Sequence, residues 1–313
     1  MIRTERSAAP VRDTRFENAR LAALGIEPMR LSVLRAKVSP ERFAQPERID
    51  FYMLMLVTSG RGVHTVDFVA WPLSPGTFVF VRPGQVQQWH AGERVEADLL
   101  LVAPTALPGG RTPGIPQALD RLALDDWPTC TVLGDSRAAE IGDDLFRLRR
   151  DFERFEATDL DVSLLRHELL ILMLRLARHQ EDRDIGVGGP SGQRETYRWF
   201  RRSLEEHFAT EHALRFYAQR LGFAESTLSR ACLAAEGRSA KHVIDRRVVL
   251  EAQRMLAHST ATVAEIAHAL GFTESTNFVK FFRRLTGQTP LAFRAEASYS
   301  VGTTMRRGPR RSR

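Results

Sequence analysis

Cysteine, lysine and long apolar runs are the scarcest features of this 313-residue chain. The two cysteines, Cys130 and Cys232, lie far apart in unlike contexts, which excludes a disulfide framework and a cysteine-based metal site. Lysine occurs only as Lys37, Lys241 and Lys280 among 45 basic residues. So lopsided a ratio reflects genome composition, and no arginine is singled out merely for being one. The longest aliphatic run, Leu169–Leu174, is far too short to cross a bilayer. The first residues, MIRTERSAAPVRDTRF, hold no apolar stretch of the kind a secretory signal needs. A cytoplasmic protein with no membrane partner is expected.

What is present is a mixed, globular composition with 43% hydrophobic and 27% charged residues, enough chain for about two domains. Charge is unevenly spread. Residues 194–313 hold 21 Lys and Arg against 11 Asp and Glu, a balance of +10, while residues 1–193 hold 24 against 27, or −3. Five of those arginines lie in Met305–Arg313, yet 194–304 stays at +5 without them. A basic C-terminal part beside a mildly acidic one predicts that only the former meets a polyanion.

Asp182–Ser191, DRDIGVGGPS, concentrates glycine, proline and serine between helical stretches and reads as a linker. Upstream of it, from about Met29 to Ala103, short strands are predicted at Phe51–Val57, Val63–Val69, Phe78–Val81 and Leu99–Val102. Ser59-Gly60, Pro75-Gly76 and Pro83-Gly84 punctuate them, a spacing that suggests a β-sandwich or barrel. The period then changes. Ile141, Leu145, Leu148, Phe152 and Phe155 mark one amphipathic helix, and Leu164, Leu165, Glu168, Leu169, Leu172, Met173 and Leu176 a second. Two outcomes fit such a pair equally: it covers the barrel, or it docks on a second copy.

The most informative feature is an internal echo. Ala218–Thr227, AQRLGFAEST, returns 49 residues later as Ala267–Thr276, AHALGFTEST, with seven of ten positions identical. Each copy has the grammar of helix, glycine turn and second helix, a device for laying a helix against DNA. In the first, Ala213–Leu221 precedes Gly222, and Ala224–Ala235 turns Leu228, Ala231 and Cys232 inward. In the second, Thr262–Leu270 precedes Gly271, and Thr273–Leu285 turns Phe278, Phe281 and Phe282 inward. One residue is gained after the echo, so that Leu228 matches Phe278, Cys232 matches Phe282 and Gly237 matches Gly287.

The outward faces carry Ser226, Thr227, Ser229 and Arg230, then Thr276, Asn277 and Lys280. Slim residues let a helix backbone approach the major groove, and a cation one turn later reaches guanine O6 and N7. Ser226 with Arg230, and Thr276 with Lys280, share a face at i, i+4. A solvated face explains either copy alone; the same face in the same order twice argues for base reading. Ser239 caps a predicted connecting helix to about Leu256, which carries Val243, Ile244, Val248, Ala252 and Met255 on its buried side. Its roughly 27 Å is of the order of one DNA turn.

With Ile266-Ala267, Gly271-Phe272, Phe278, Phe281-Phe282, Gly287, Thr289-Pro290 and Phe293-Arg294, and with Ala252 and Met255-Leu256, residues Thr196–Ala295 resemble the DNA-binding domain of the AraC/XylS family of bacterial transcription regulators. The resemblance implies base contacts from Ser226, Ser229 and Arg230 and from Thr276 and Lys280. Two positions depart from the family: Cys232 stands where Phe is usual, and Val248 where the connecting helix usually has Arg.

The N-terminal part resembles the cupin-like sensor domain of such regulators at Ser74-Pro75-Gly76 and Arg82-Pro83-Gly84-Gln85-Val86. A metal-binding cupin needs a His-x-His pair; none occurs, and Gln87 holds the place of the last histidine. No metal and no cofactor are therefore expected. An organic effector is, with Tyr52, His64, Trp71, Arg82, Gln87, Trp89 and His90 as candidate lining residues.

The expected architecture is a multidomain α+β chain. It comprises a cupin-like effector-sensing β-barrel (1–136), a helical pair available for dimerisation (137–181), a linker (182–193), an all-α domain of two helix-turn-helix units joined by a long helix (194–298), and a basic disordered tail (299–313). The function expected is a sequence-specific transcription regulator, not an enzyme, with double-stranded promoter DNA, RNA polymerase, a small-molecule effector and a second copy of itself as partners. The rival reading is a cupin-type metal-dependent enzyme with an appended DNA-binding domain.

Overall fold

The computed structural model describes residues 12–16, 24–90, 94–107, 124, 127–185 and 191–303. Contacts divide the described residues into two compact units, one within 12–185 and one within 191–303. Among the described residues no helix is long and apolar enough to cross a membrane.

The first unit is a curled sheet organised by one long strand, β4 (Tyr52–Val66). Its first half pairs antiparallel with β6 (Thr77–Val81) and β8 (Arg94–Val102), beyond which lie β9 (Cys130–Val132) and β2 (Ile26–Arg30). Its second half pairs with β5 (Val69–Leu73) and β7 (Val86–Trp89), and β7 leads to β3 (Glu47–Ile49) and β1 (Arg12–Thr14). The expected break at Ser59-Gly60 is instead a bulge within β4, between Val57 and Ser59. Gly60 has φ +83°, and a Cβ there would lie 1.6 Å from the Arg94 carbonyl oxygen, so only glycine lets the strand bend across its neighbour.

The true reversal falls inside the stretch predicted as one strand, Val63–Val69. Asp67 (φ 47°) and Phe68 (φ 69°) form it, and the Asp67 carboxylate accepts from Val86 N–H at 3.2 Å and Gln85 Nε2 at 2.6 Å. An aspartate supplying its own hydrogen bonds tolerates the left-handed conformation, which hid the turn from a pattern based on Gly and Pro.

Alternation along β4 sends Met53, Met55 and Val57 to one face and Leu54 and Leu56 to the other, all buried. The concave face gathers Phe43, Phe51, Trp89, Val95 and Leu99 around the methionines, roofed by α1 (Leu31–Lys37) and α2 (Pro40–Phe43). The opposite face packs Phe78, Phe80, Leu100 and Val102 against α3 (Asp135–Glu153) and α4 (Asp159–Ile185). Ile141, Leu145 and Leu148 of α3 and Leu165, Leu169, Leu172 and Leu176 of α4 are buried there. The helical pair thus covers the sheet. Leu164, assigned to the apolar stripe by the sequence, lies outside it at 49% exposure.

The second unit is all helical: α5 (Ser191–His207), α6 (Leu214–Leu221), α7 (Glu225–Glu236), α8 (Ala240–His258), α9 (Val263–Ala269), α10 (Ser275–Thr286) and α11 (Pro290–Thr303). Of the stretch read as linker, 182–185 and 191–193 are helical and 186–190 lie outside the described residues. The long helix α8 is a wall common to two cores. Val243, Ile244 and Val248 join Phe200, Leu204, Tyr217, Leu228 and Cys232. Ala252 and Leu256, two turns on, join Ile266, Leu270, Phe278 and Phe282. Burying each such side chain is worth about 1.5–3 kcal/mol, so α8 ties both helix-turn-helix units to one scaffold.

Candidate nucleic-acid interface and ligand cavity

Each helix-turn-helix unit is closed by a left-handed glycine. Gly222 (φ +71°) has open space where a Cβ would project, whereas a Cβ at Gly271 (φ +74°) would lie 2.7 Å from the Ala209 carbonyl oxygen. The second turn is therefore pressed against the loop between α5 and α6. Phe223 N–H bonds to the Ala218 carbonyl and Phe272 N–H to the Ala267 carbonyl at 2.9 Å each, matching the 49-residue echo.

The register changes immediately afterwards. α7 starts from Ala224 and α10 from Glu274, fifty residues apart. The extra residue thus lies in the turn, before the shared Glu-Ser-Thr letters and not after them. Ser226 and Thr276 are each the second residue of their helix, Thr227 is equivalent to Asn277, and Arg230 to Lys280. The pairs Ser226/Arg230 and Thr276/Lys280 hold equivalent positions, and all four side chains are exposed. Asn277 is exposed as well, while Thr227 and Ser229 are half-buried. Arg283, one turn beyond Lys280, is also exposed. It was not among the predicted residues, because its counterpart Leu233 is apolar and the echo had ended.

Neither α7 nor α10 has a side-chain cap, while Ser239 caps α8 and Thr262 with Glu265 forms a capping box on α9. The first-turn N–H groups of α7 and α10 are thus left without side-chain acceptors, the arrangement that holds phosphate oxygens at helix starts.

A polar and aromatic junction fixes α10 on α8. The buried Asp245 carboxylate accepts from Lys241 Nζ at 2.6 Å and from Arg284 at 3.1 Å. His212 lies 4.8 Å from the Phe272 ring and stacks with Phe281 at 6.4 Å. Burial first, then the Lys241 charge, pushes the His212 imidazole pKa down, keeping the ring neutral and compatible with its aromatic neighbours. Phe281, predicted inward, is half-buried because it serves this junction. Val248 is fully buried, and the polar link of α8 to α5 is made instead by Arg247, which donates to Glu205 at 2.7 Å and lies over the Phe208 ring. Cys232 is buried and its thiol is pushed up to about 12 by burial, a core residue and not a reactive one. Arg294 donates to the carbonyls of Leu256 and Ala261, closing the end of α8.

In the first unit the concave face encloses a cavity of about 190 Å³. Among the predicted effector residues, Gln87 and Trp89 line it. His64 lies behind them, fully buried, 4.3 Å from the Trp89 ring, and burial drives its pKa down to about 3. Gln87 Nε2 donates to Glu47 Oε1 at 3.0 Å, so Gln87 Oε1 accepts from neutral His64 Nε2–H at 3.1 Å. Thr14 completes the relay by donating to Glu47 Oε2 at 2.7 Å. Trp71 is His64's cross-strand partner on β5, and His90 pairs with Thr65 at 2.8 Å. Tyr52 and Arg82 belong to the helix-covered face: Tyr52 stacks on Phe80, and Arg82 donates to the carbonyls of Leu124 and Trp127.

The sequence missed Arg12, Arg15, Arg42, Phe43, Phe51 and Met53 of this cavity. Strands of three residues, such as β1, carry no readable period. Among the described residues no group of three His, Cys, Asp or Glu is arranged to hold a metal.

One unit carries a tandem helix-turn-helix and the other a curled sheet with a cavity, the two parts of a helix-turn-helix transcription regulator with a ligand-binding domain. A helix-turn-helix domain family matches residues 217–296, and the AraC-like ligand binding domain family matches residues 31–173. The HTH-type transcriptional activator RhaS of Escherichia coli (strain SE11) is 26% identical over 246 residues, spanning 77% of this chain and 84% of its own length. Among solved structures, the DNA-binding domain of AdpA in complex with a target DNA is 27% identical, with 36% of this chain and 96% of that one covered and a TM-score of 0.31. ToxT from Vibrio cholerae O395 is 9% identical, with 79% and 90% covered and a TM-score of 0.38. The chain belongs to the AraC/XylS family of transcription regulators, with a ligand-binding domain and a helix-turn-helix DNA-binding domain.

Proposed function

We propose that α7 and α10 read the bases of double-stranded promoter DNA through Ser226, Thr227, Ser229 and Arg230 and through Thr276, Asn277 and Lys280, under control of a small organic effector held in the first unit. The observation that carries this reading is the shared register of Ser226/Arg230 and Thr276/Lys280 on two uncapped helices tied to one scaffold, α8. In this reading residues 1–136 sense, 137–181 form the helical pair, 182–193 link, 194–298 bind DNA and 299–313 add a basic tail; its first residues, 299–303, continue helix α11 where disorder was expected, and 304–313 lie outside those described. Effector binding acts only through its different affinity for two arrangements of the chain. Relatives named as activators support recruitment of RNA polymerase in the cytoplasm as the outcome. Selection and sequencing of DNA fragments bound by the purified chain, with and without cell metabolites, tests this. A bipartite motif whose enrichment responds to metabolites is expected; no enriched motif overturns it.

Homodimerisation through α4 is supported by a second observation. Leu160, Leu164, Ile171 and Leu174 are exposed at 82%, 49%, 44% and 36%, on the side away from the sheet. With His167 between them they fall at alternating steps of four and three residues, the spacing of a two-helix seam. Asp159 begins the helix and Arg178 follows the stripe, so an antiparallel pairing with a second copy sets opposite charges together. Sedimentation of the native chain and of Ile171→Asp decides it: a dimer reduced to monomer is expected, and a native monomer overturns it.

The rival, a metal-dependent enzyme, predicts near-stoichiometric iron, manganese or zinc in the purified protein. We expect none.

A further inference from the structure

The cavity in the curled sheet has an electrostatic imbalance that specifies its ligand. Part of its wall is aromatic and aliphatic: Phe16, Phe43, Phe51, Met53, Trp89 and Leu101 line it, with Phe43 stacked on Trp89 at 5.3 Å. Two carboxylates reach it, and both are already engaged. Glu47 accepts from Thr14 and Gln87, and Glu27 faces Lys37 at 3.4 Å. Three arginines, Arg12, Arg15 and Arg42, line the same cavity, and all three are exposed. Among the described residues none of the three has an ion-pair partner. The indole N–H of Trp89, a residue 5% exposed on the cavity wall, has no acceptor. A buried donor left in that state costs about 1–3 kcal/mol unless something supplies the acceptor.

We infer that the effector is a small organic anion: a carboxylate held by Arg12, Arg15 and Arg42, with an apolar body laid against Phe43, Phe51, Met53 and Trp89. This rests on the reading of the first unit as a sensor and names the class of molecule it takes. Guanidinium groups bind carboxylates bidentately, and the polar wall residues Thr14, Glu47 and Gln87 already bond one another, which leaves the aromatic and aliphatic wall for the body of the ligand. Volume sets the size. About 190 Å³ is below the 300–1,000 Å³ of ordinary ligand pockets, which suits a single ring or a short chain.

The full chain is titrated with benzoate and hexanoate, with benzamide and hexanamide as uncharged counterparts of the same shape, and with glucose. Heat of binding and shift in unfolding temperature are read together. Benzoate or hexanoate is expected to bind and to raise the unfolding temperature, its amide to bind at least tenfold more weakly, and glucose not to bind. The doubly substituted Arg15→Ala, Arg42→Ala chain changes only exposed side chains, so it should unfold at the native temperature without ligand while losing at least tenfold in carboxylate affinity. Failure of both carboxylates to bind, equal binding of the amides, or full affinity in the doubly substituted chain overturns the anion assignment. The sensor reading is judged separately. It fails if a cell metabolite extract leaves promoter binding of the native chain no different from that of Met53→Phe, which fills the cavity.

Discussion

Arg284 of α10 donates to the carboxylate of Asp245 on α8 at 3.1 Å, and Lys241 holds the other oxygen of that carboxylate at 2.6 Å. Asp245 is 3% exposed, so this contact fixes the second recognition helix on the common scaffold from within. Replacing Asp245 by Ala removes two charge-assisted hydrogen bonds and leaves two cations side by side. A loss of about 2–4 kcal/mol in unfolding free energy is expected, at about 1.5–3 for each hydrogen bond to a charged group less the hydration regained by the exposed cations. Arg284→Ala should cost less, since Lys241 still neutralises the carboxylate. Denaturant unfolding of the two variants checks the order.

The two turn glycines should differ. Gly222→Ala meets open space and carries only the left-handed penalty of about 1–2 kcal/mol. Gly271→Ala carries that penalty and drives a methyl to 2.7 Å from the Ala209 carbonyl oxygen, so it should cost clearly more and weaken promoter binding by tilting α10. Equal losses in unfolding free energy would show that the α5–α6 loop yields freely.

Arg230→Ala and Lys280→Ala should each cost about 1–3 kcal/mol on the selected DNA sequence and relax base preference at one position. Binding measured on selected and random duplexes separates the roles. Equal weakening on both would make these phosphate contacts.

Removing Arg306–Arg313 takes five arginines from the chain. Affinity for random DNA and the salt dependence of binding should fall, while the preferred sequence stays the same. A footprint that loses its sequence preference with the tail would contradict this.

The Glu168 carboxyl of α4 lies half-buried within the field of the Asp151 carboxylate of α3. Burial, then the Asp151 charge, raises Glu168 from 4.5 to about 7, which favours its neutral form in the folded chain. Because the folded pKa lies above the unfolded one, burying neutral Glu168 carries no charge penalty below about pH 4.5, and that stability is lost as pH rises through about 7. Glu168→Gln stays neutral at every pH. The stability difference between native chain and variant should therefore swing in the variant's favour from pH 5 to pH 8, as read by denaturant midpoints of the sheet unit.

The helices of the second unit were legible because glycine turns, a serine cap and 3.6-residue periodicity are local signals, and a repeat doubles them. The repeat also misled by one residue. Identical Glu-Ser-Thr letters suggest that Thr227 matches Thr276, yet the helix starts at Ala224 and Glu274 make Ser226 its counterpart. Letters do not reveal where a turn absorbs an extra residue; hydrogen bonds to the first carbonyls do. In the sheet, β4 was cut in two at Gly60 because glycine signals a turn as readily as a bulge, and only the closeness of Arg94 tells them apart.

By itself the sequence determined the class of this protein: two helix-turn-helix units on one helix, a basic half to meet DNA, a strand-rich half to hold an effector. Those properties follow from periodicity, turn chemistry and net charge, all carried by neighbours along the chain. Tertiary structure alone decided which residues meet across distance. It set Asp245 against Arg284, brought Arg12, Arg15 and Arg42 to one cavity, and put Tyr52 and Arg82 on the other side of the sheet. The reason is physical: a strand period of two fixes which residues share a face, but the curl of β4 and the register of its partners choose which face encloses the ligand.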